Sequence, residues 1–385
     1  MKILMVLDHE FPPDIRVENE VDALLSAGHE VHIACYTRKN RKLEEKLNGL
    51  IIHRLAISTF LYKSSVGCLK FPFYFNFWRK KLTKILSQQS FDAIHIHDLP
   101  LAQIGWEMSQ KFRLRFVLDL HENWPALLRI SDHTNTFLGK ILSNDSQWRK
   151  YELEFCQKAD KVITVVEEAS ARLMGLGIPT EKLLVVSNSL NTDSFVQPVS
   201  KPDPEYFTLF YAGGINRHRG LQYVIKGLKH IDNKHHVRLW LLGTGSFVNE
   251  LKRLAESEGV TDKVTFFGWK AFAEMNEMMG KADVCLIPHL KSDHTDSTIP
   301  HKIFQYMYAA KVVLASDCDP IERILNSSKS GLVYHWNDPI DFAAKLSQLL
   351  HNRIEIEALS ENGSRAVRAN YLWESEALKL VNIYN

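Results

Sequence analysis

Lys2-Ile3-Leu4-Met5-Val6-Leu7-Asp8 is a short apolar run that stops at an acidic residue. An amphipathic stretch, Arg16–Ala27, follows it, then Gly28, then a second apolar run, Val31–Tyr36. A run this short reads as a buried strand, the middle stretch as a helix, and the glycine as its stop. Strand, helix and strand in quick succession are the βαβ unit of a parallel sheet. Ala93–His97, Phe116–Leu120, Lys161–Val166 and Leu183–Ser187 continue the rhythm. In such sheets the residues just past the strands' carboxyl ends face the ligand.

Working outward, the rhythm breaks over residues 188–204, rich in Asn, Ser, Asp and Pro, and restarts at Thr208–Ala212. Arg238–Leu242, Lys263–Phe267, Val284–Pro288 and Val312–Ala315 carry it on. A chain of 385 residues is long for one doubly wound domain and suits two. The expected fold is therefore α/β, with two Rossmann-like doubly wound domains facing across a cleft. Residues 1–190 would form the first domain and 205–365 the second, with residues 366–385 a helix crossing back to the first. Leu359–Tyr384 reads as helical around Trp373.

A composition of 45% hydrophobic and 24% charged residues is that of a globular protein and gives no case for disorder or a fibrous repeat. Cys35, Cys68, Cys156, Cys285 and Cys318 are scattered, against a disulfide framework or a structural zinc site and in keeping with a reducing cytoplasm. The first apolar run meets Asp8 too soon for a signal peptide, and no run is long enough to span a bilayer.

Three segments carry the chemistry of the second half. Phe210-Tyr-Ala-Gly-Gly-Ile-Asn-Arg-His-Arg-Gly220 follows a strand; Gly213, Gly214 and Gly220 admit close backbone approach, and Arg217 and Arg219 add charge. That composition suits a diphosphate cradle, and equally an ordinary glycine turn with solvated arginines. Gly243-Thr-Gly245 also follows a strand, but Val248 stands where a dinucleotide fingerprint needs its third glycine, which weakens a dehydrogenase reading. Ser297 and Thr298 precede Pro300, with Lys302 in the first turn of a helix that also carries Gln305. Hydroxyls and a cation there suit phosphate oxygens, and Gln305 suits ribose; helix capping alone would also explain the hydroxyls.

In order along nearly the whole chain, these segments resemble the landmarks of glycosyltransferase family 4, of the GT-B fold. Phe11-Pro-Pro-Asp-Ile-Arg16 is similar to its first loop, and Asn188-Ser-Leu-Asn-Thr-Asp193-Ser-Phe195 to its interdomain segment. Gly213–Leu221, Gly243–Gly245, Val264–Gly268, Ala282–Val284 and Thr298–Val313 follow. The resemblance implies a retaining transferase that moves a sugar from a nucleoside-diphosphate sugar to a glycan or lipid-linked acceptor, as in bacterial surface polysaccharide synthesis. It implies a basic pair on the donor diphosphate, matched by Arg219 and less closely by Arg217, and no metal or other cofactor. Fixed cations there stabilise charge developing on the leaving phosphate. The family's two donor-binding glutamates correspond here to Ser297 and Gln305, so Asp293, Asp296 or Thr298 would take over sugar recognition.

In the first half, His95-Ile-His97-Asp98 and Asp119-Leu-His121-Glu122 sit at strand ends. His121 resembles the family histidine beside the transferred sugar. His97 is the second choice, and Glu122 would orient His121 or bind acceptor. Asp14 and Arg16 are the first-loop candidates on the acceptor side; a salt bridge accounts for Arg16 as readily as phosphate does.

Between Arg38 and Lys84 twelve Lys and Arg stand against Glu44 and Glu45 alone. Phe71-Pro-Phe-Tyr-Phe-Asn-Phe-Trp78-Arg-Lys-Lys81-Leu-Thr-Lys84 joins aromatics to that charge, as at an anionic membrane surface, or as an inward-packed helix with a solvated end. No nucleic-acid recognition motif accompanies the patch. A nucleotide-sugar epimerase or hydrolase, and a weakly active nucleotide-sugar-binding protein, are the other readings of the same architecture.

Overall fold

Ile3 to Leu7 are completely buried, as a strand without alternation must be when helices cover both faces of its sheet. The computed structural model describes residues 1–131, 134, 139 and 142–385. Their backbone divides into two units: Met1–Asn188 with Glu374–Asn385, and Ser189–Trp373.

The first unit contains β1 (Lys2–Leu7), β2 (Glu30–Thr37), β3 (Glu44–Leu47), β4 (Leu50–Ala56), β5 (Ala93–His97), β6 (Arg115–Leu120), β7 (Lys161–Thr164) and β8 (Leu183–Val185). They lie in the order β3-β4-β2-β1-β5-β6-β7-β8, and only β3 runs antiparallel to its neighbour. Chain order reverses direction across β1 and β5, so a crevice opens beyond their carboxyl ends. Asp14 caps the helix Ile15–Ser26, accepting from Val17 N, and Gly28 leaves it at φ +83°.

The second unit contains β9 (Phe207–Ala212), β10 (Val237–Leu242), β11 (Val264–Gly268), β12 (Val284–Ile287), β13 (Val312–Ser316) and β14 (Gly331–Tyr334), all parallel, in the order β11-β10-β9-β12-β13-β14. Its reversal lies between β9 and β12.

Three features depart from the sequence reading. The β3–β4 hairpin is absent from it, although Asn48-Gly49, both at positive φ (+49° and +92°), is the strongest short hairpin signal there is. β14 is also absent, its four residues being too short to show a period. The stretch from Leu359 holds two helices, Arg353–Asn370 in the second unit and Trp373–Val381, whose residues from Glu374 on belong to the first; between them Leu372 forms a β-bridge with Leu190.

The aromatic segment forms the helix Phe73–Gln88, and Tyr74, Phe75 and Trp78 point into the first unit's core. Arg79 pairs with Glu107 at 2.5 Å. Those residues are structural. Phe60, Phe71 and Phe73, at and before the start of that helix, are exposed, with Phe73 within 5.7 Å of Phe60 and 6.3 Å of Phe71, centroid to centroid.

Candidate active site

β9 and β10 pair Ala212 with Leu242, so the residues that follow, Gly213 and Gly243, meet at the sheet edge. Gly213 N donates to Leu242 O at 3.0 Å. A Cβ on Gly243, at φ +128°, would fall 1.9 Å from Gly213 O, and one on Gly245 would fall 2.0 Å from Ile215 O. These glycines let two strand-to-helix turns interlock. Gly214 has no such restriction: its nearest neighbour would lie 3.5 Å away.

Lys302 fills the space over Gly213. Its Nζ donates to Ala212 O at 2.8 Å, sits 4.3 Å from the Tyr211 ring centroid, and is 2.8 Å from where a Gly213 Cβ would be. Burial, then the nearby Arg219, hold its amine well below the usual lysine range. Arg219 Nη1 donates to His289 Nε2 at 3.0 Å, while its buried Nε has no partner among the described residues. His289 follows β12 directly after Pro288, on the other side of the switch point. Burial and Arg219 hold His289 far below its ordinary pKa, and the same two causes, with His218, lower His294 to about 4. Arg219, the Lys302 amine and two neutral imidazoles thus crowd one strand edge, and among the described residues no carboxylate pairs with Arg219 or Lys302, an arrangement that favours an anion.

Arg217 does not join them. It is exposed, pairs with Glu250 at 2.8 Å and lies over Phe247, so the basic pair at this edge is Arg219 with Lys302. Ser297 is buried and donates to Asp293 O at 2.7 Å, closing the turn rather than capping the helix Lys302–Tyr308. Thr298 and Gln305 are half-buried. His289 and His294 escaped the sequence reading because a lone histidine after a strand carries no spacing signal.

In the first unit β5 and β6 place His97 opposite Asp119. Arg16 is 4% exposed: Nη2 donates to Asp119 Oδ1 at 2.9 Å, Nη1 to Val186 O at 3.0 Å, and Nε lies 3.1 Å from Glu20. Its donors are consumed within the unit, which removes Arg16 as a phosphate contact. Asp14 is likewise engaged, with Val17 N and with His9 at 2.9 Å. His97 is buried behind His121, its Nδ1 3.1 Å from His121 Nε2. His121 remains 15% exposed, with Nε2 3.2 Å from Asp119 Oδ2 and Nδ1 3.6 Å from Asp98 Oδ2. Burial works against its charged form, but Asp98 and Asp119 outweigh it and hold the pKa up to about 9. Burial and His95 push His97 down to about 3, making it an acceptor for the His121 proton. His121 is therefore a fixed positive charge at a strand end. Glu122 is half-buried beside it in sequence.

Residues 15–194 match the model of Glycosyltransferase Family 4, and residues 193–366 that of Glycosyl transferases group 1. An uncharacterised glycosyltransferase of Methanocaldococcus jannaschii is 22% identical over all of this chain and 98% of its own length. A putative colanic acid biosynthesis glycosyltransferase, WcaL of Salmonella typhimurium, is 23% identical over 60% of this chain and 57% of its own. Among solved structures, Anabaena HepE in complex with UDP-glucose superposes with a TM-score of 0.74 at 14% identity, over 100% of this chain and 99% of that one.

Proposed function

Because the chain belongs to glycosyltransferase family 4 and has the GT-B fold, we propose that it transfers a sugar, with retention, from a nucleoside-diphosphate sugar to a glycan or lipid-linked acceptor in surface polysaccharide synthesis. The observation that carries this reading is the pair of Arg219 and Lys302 at the β9–β12 switch point, with the buried, unpartnered Arg219 Nε. Gly214 leaves the first turn open to the diphosphate while Gly213, Gly243 and Gly245 lock the two turns together beneath it; in this reading Gln305 and Thr298 meet ribose and sugar, and Arg219 with Lys302 offsets charge on the leaving phosphate. The proposal includes no metal or other cofactor. Within the first unit His121 is a positive charge at a strand end, with Glu122 next to it in sequence.

The colanic acid relative supports a polysaccharide role. The HepE complex supports a nucleotide-sugar donor. We place the acceptor at the inner face of an anionic membrane: Phe60, Phe71 and Phe73 are 64%, 48% and 49% exposed, with Lys63 and Lys70 exposed near them in sequence. No helix of the described residues is long and apolar enough to cross a membrane, so contact would be peripheral.

Thermal denaturation with UDP, GDP, ADP, CMP and dTDP tests the reading, since a ligand of the folded state raises the melting temperature by mass action. One nucleotide should raise it selectively, and Arg219→Ala should abolish the rise. No rise with any of them sinks the donor assignment.

A further inference from the structure

Beyond the carboxyl ends of β1 and β2, inside the first unit, Asp8, Tyr36, Tyr62, Tyr74 and Trp124 line a cavity of about 190 Å³. Its place follows from topology. Asp8 is the residue after β1, beside the β1–β5 switch point, and Tyr36 is on the last residues of β2. Tyr36 and Tyr62 meet edge to face at 5.9 Å, and Trp124 packs against Trp148 at 6.1 Å, so the walls are rigid aromatic faces.

The polar groups in those walls are few, and they are not equally satisfied. The Tyr74 hydroxyl donates to the Asp8 carboxylate. Trp148 Nε1 donates to Ser143 Oγ at 2.9 Å. Trp124 Nε1 is buried without an acceptor among the described residues. A buried N–H left unmade is costly, so an oxygen atom brought by a ligand is its natural partner.

Size and charge narrow the ligand. A dry cavity of about 150 Å³ holds one benzene ring, so this one holds a single six-membered ring with its substituents. Aromatic faces suit the C–H faces of a pyranose, and Trp N–H, Tyr O–H and a carboxyl suit its hydroxyls. An acyl or prenyl tail would leave the Trp124 N–H unpaired. Burial, then the neighbouring Asp98, hold Asp8 well above the usual carboxylate range, which keeps the cavity unfavourable to an anionic group and weak for a cation.

We propose that this cavity seats one neutral sugar ring of the acceptor, with Trp124 Nε1 and the Asp8 carboxyl bonding its hydroxyls. The assignment rests on the transfer reading and names the acceptor chemistry it requires. It also links the acceptor to His121, because Asp98, which lies near enough to shift Asp8, is one of the carboxylates bracketing that imidazole.

The test uses the full chain labelled with ¹⁵N-tryptophan. The Trp124 indole signal is the one absent from Trp124→Phe. Methyl glycosides of glucose, galactose, mannose and N-acetylglucosamine are titrated at millimolar concentration. At least one should move that signal saturably, and Asp8→Asn should weaken the response about tenfold. No movement with any glycoside, or movement with decyl phosphate alone, overturns the proposal. Nucleoside-diphosphate stabilisation, measured on the same samples, keeps the two readings apart. Stabilisation without a glycoside response removes the sugar pocket alone; a glycoside response without stabilisation supports the pocket and removes the transfer reading it was joined to.

Discussion

His121 Nε2 stands 3.2 Å from Asp119 Oδ2, and with Asp98 that contact sets how this imidazole responds to pH. With Asp98 on its other nitrogen, the folded chain holds the imidazole proton up to about pH 9, against 6.5 for an ordinary histidine. The folded state therefore binds this proton more tightly than the unfolded one. The resulting stability is fully present below pH 6.5 and is lost as pH rises through about 9. At most it amounts to about 3 kcal/mol. Asp98→Asn should lower the His121 pKa toward 6.5 and move the loss of stability to lower pH, followed by imidazole NMR and by urea unfolding across the same range. An unmoved His121 titration in that variant would contradict the bracket.

The glycine edge of the second unit gives a sharper stability contrast. Gly243 is at φ +128° and a Cβ there would strike Gly213 O at 1.9 Å, whereas Gly214 is open to 3.5 Å. Backbone cannot retreat as a flexible side chain can. Gly243→Ala should cost about 3 kcal/mol or more, and Gly214→Ala less than about 1 kcal/mol. Equal midpoints in urea for the two variants would show that the turns do not interlock as described.

How much of this was legible beforehand follows from what each element needs from its surroundings. Buried parallel strands need only a short apolar run, so Lys2–Leu7, Ala93–His97 and Val284–Ile287 declare themselves. Gly243 and Gly245 are equally plain as turn glycines, because a Cβ at either would strike backbone. Side-chain partnership is not written locally. Arg16 meets Asp119 across 103 residues, Lys302 reaches Ala212 across 90, and Arg217 turns toward Glu250 instead of Arg219. Sequence shows which residue types follow the strands but not which of their side chains already have partners within the fold. The aromatic helix stayed open to two readings for a related reason: Phe73 and Trp78 look alike in composition, and only the helix's orientation buries one and exposes the other.

That division of aromatics fixes what membrane binding should depend on. Phe60→Ser, Phe71→Ser and Phe73→Ser together should abolish flotation with vesicles containing anionic lipid. Lys63→Gln with Lys70→Gln should weaken it by about 1 kcal/mol per charge removed. Lys84→Gln, at the far end of the helix from Phe73, should matter less. Flotation that ignores the phenylalanines, or that needs Lys84 most, would move the contact to another face.

The last prediction separates Arg217, Arg219 and Lys302. Arg219 has a buried, unpartnered Nε and Lys302 sits over Gly213, so each is placed to donate to a diphosphate. A hydrogen bond to a charged group contributes about 1.5–3 kcal/mol, so Arg219→Ala and Lys302→Met should each weaken nucleoside-diphosphate binding by roughly 10- to 100-fold. Arg217 is 65% exposed at its side chain and already paired with Glu250. A surface pair of that kind contributes little, and Arg217→Ala should change affinity by less than about 3-fold. Calorimetric titration of the three variants with the nucleotide that stabilises the wild type checks this order. Lys302 also holds its Ala212 bond and its place over Tyr211 in the free protein, so its variant should lose some stability as well, which urea unfolding separates from the loss of binding. Should Arg217→Ala prove the most damaging, the diphosphate lies on the outer side of the Gly213–Gly220 turn, away from the switch point.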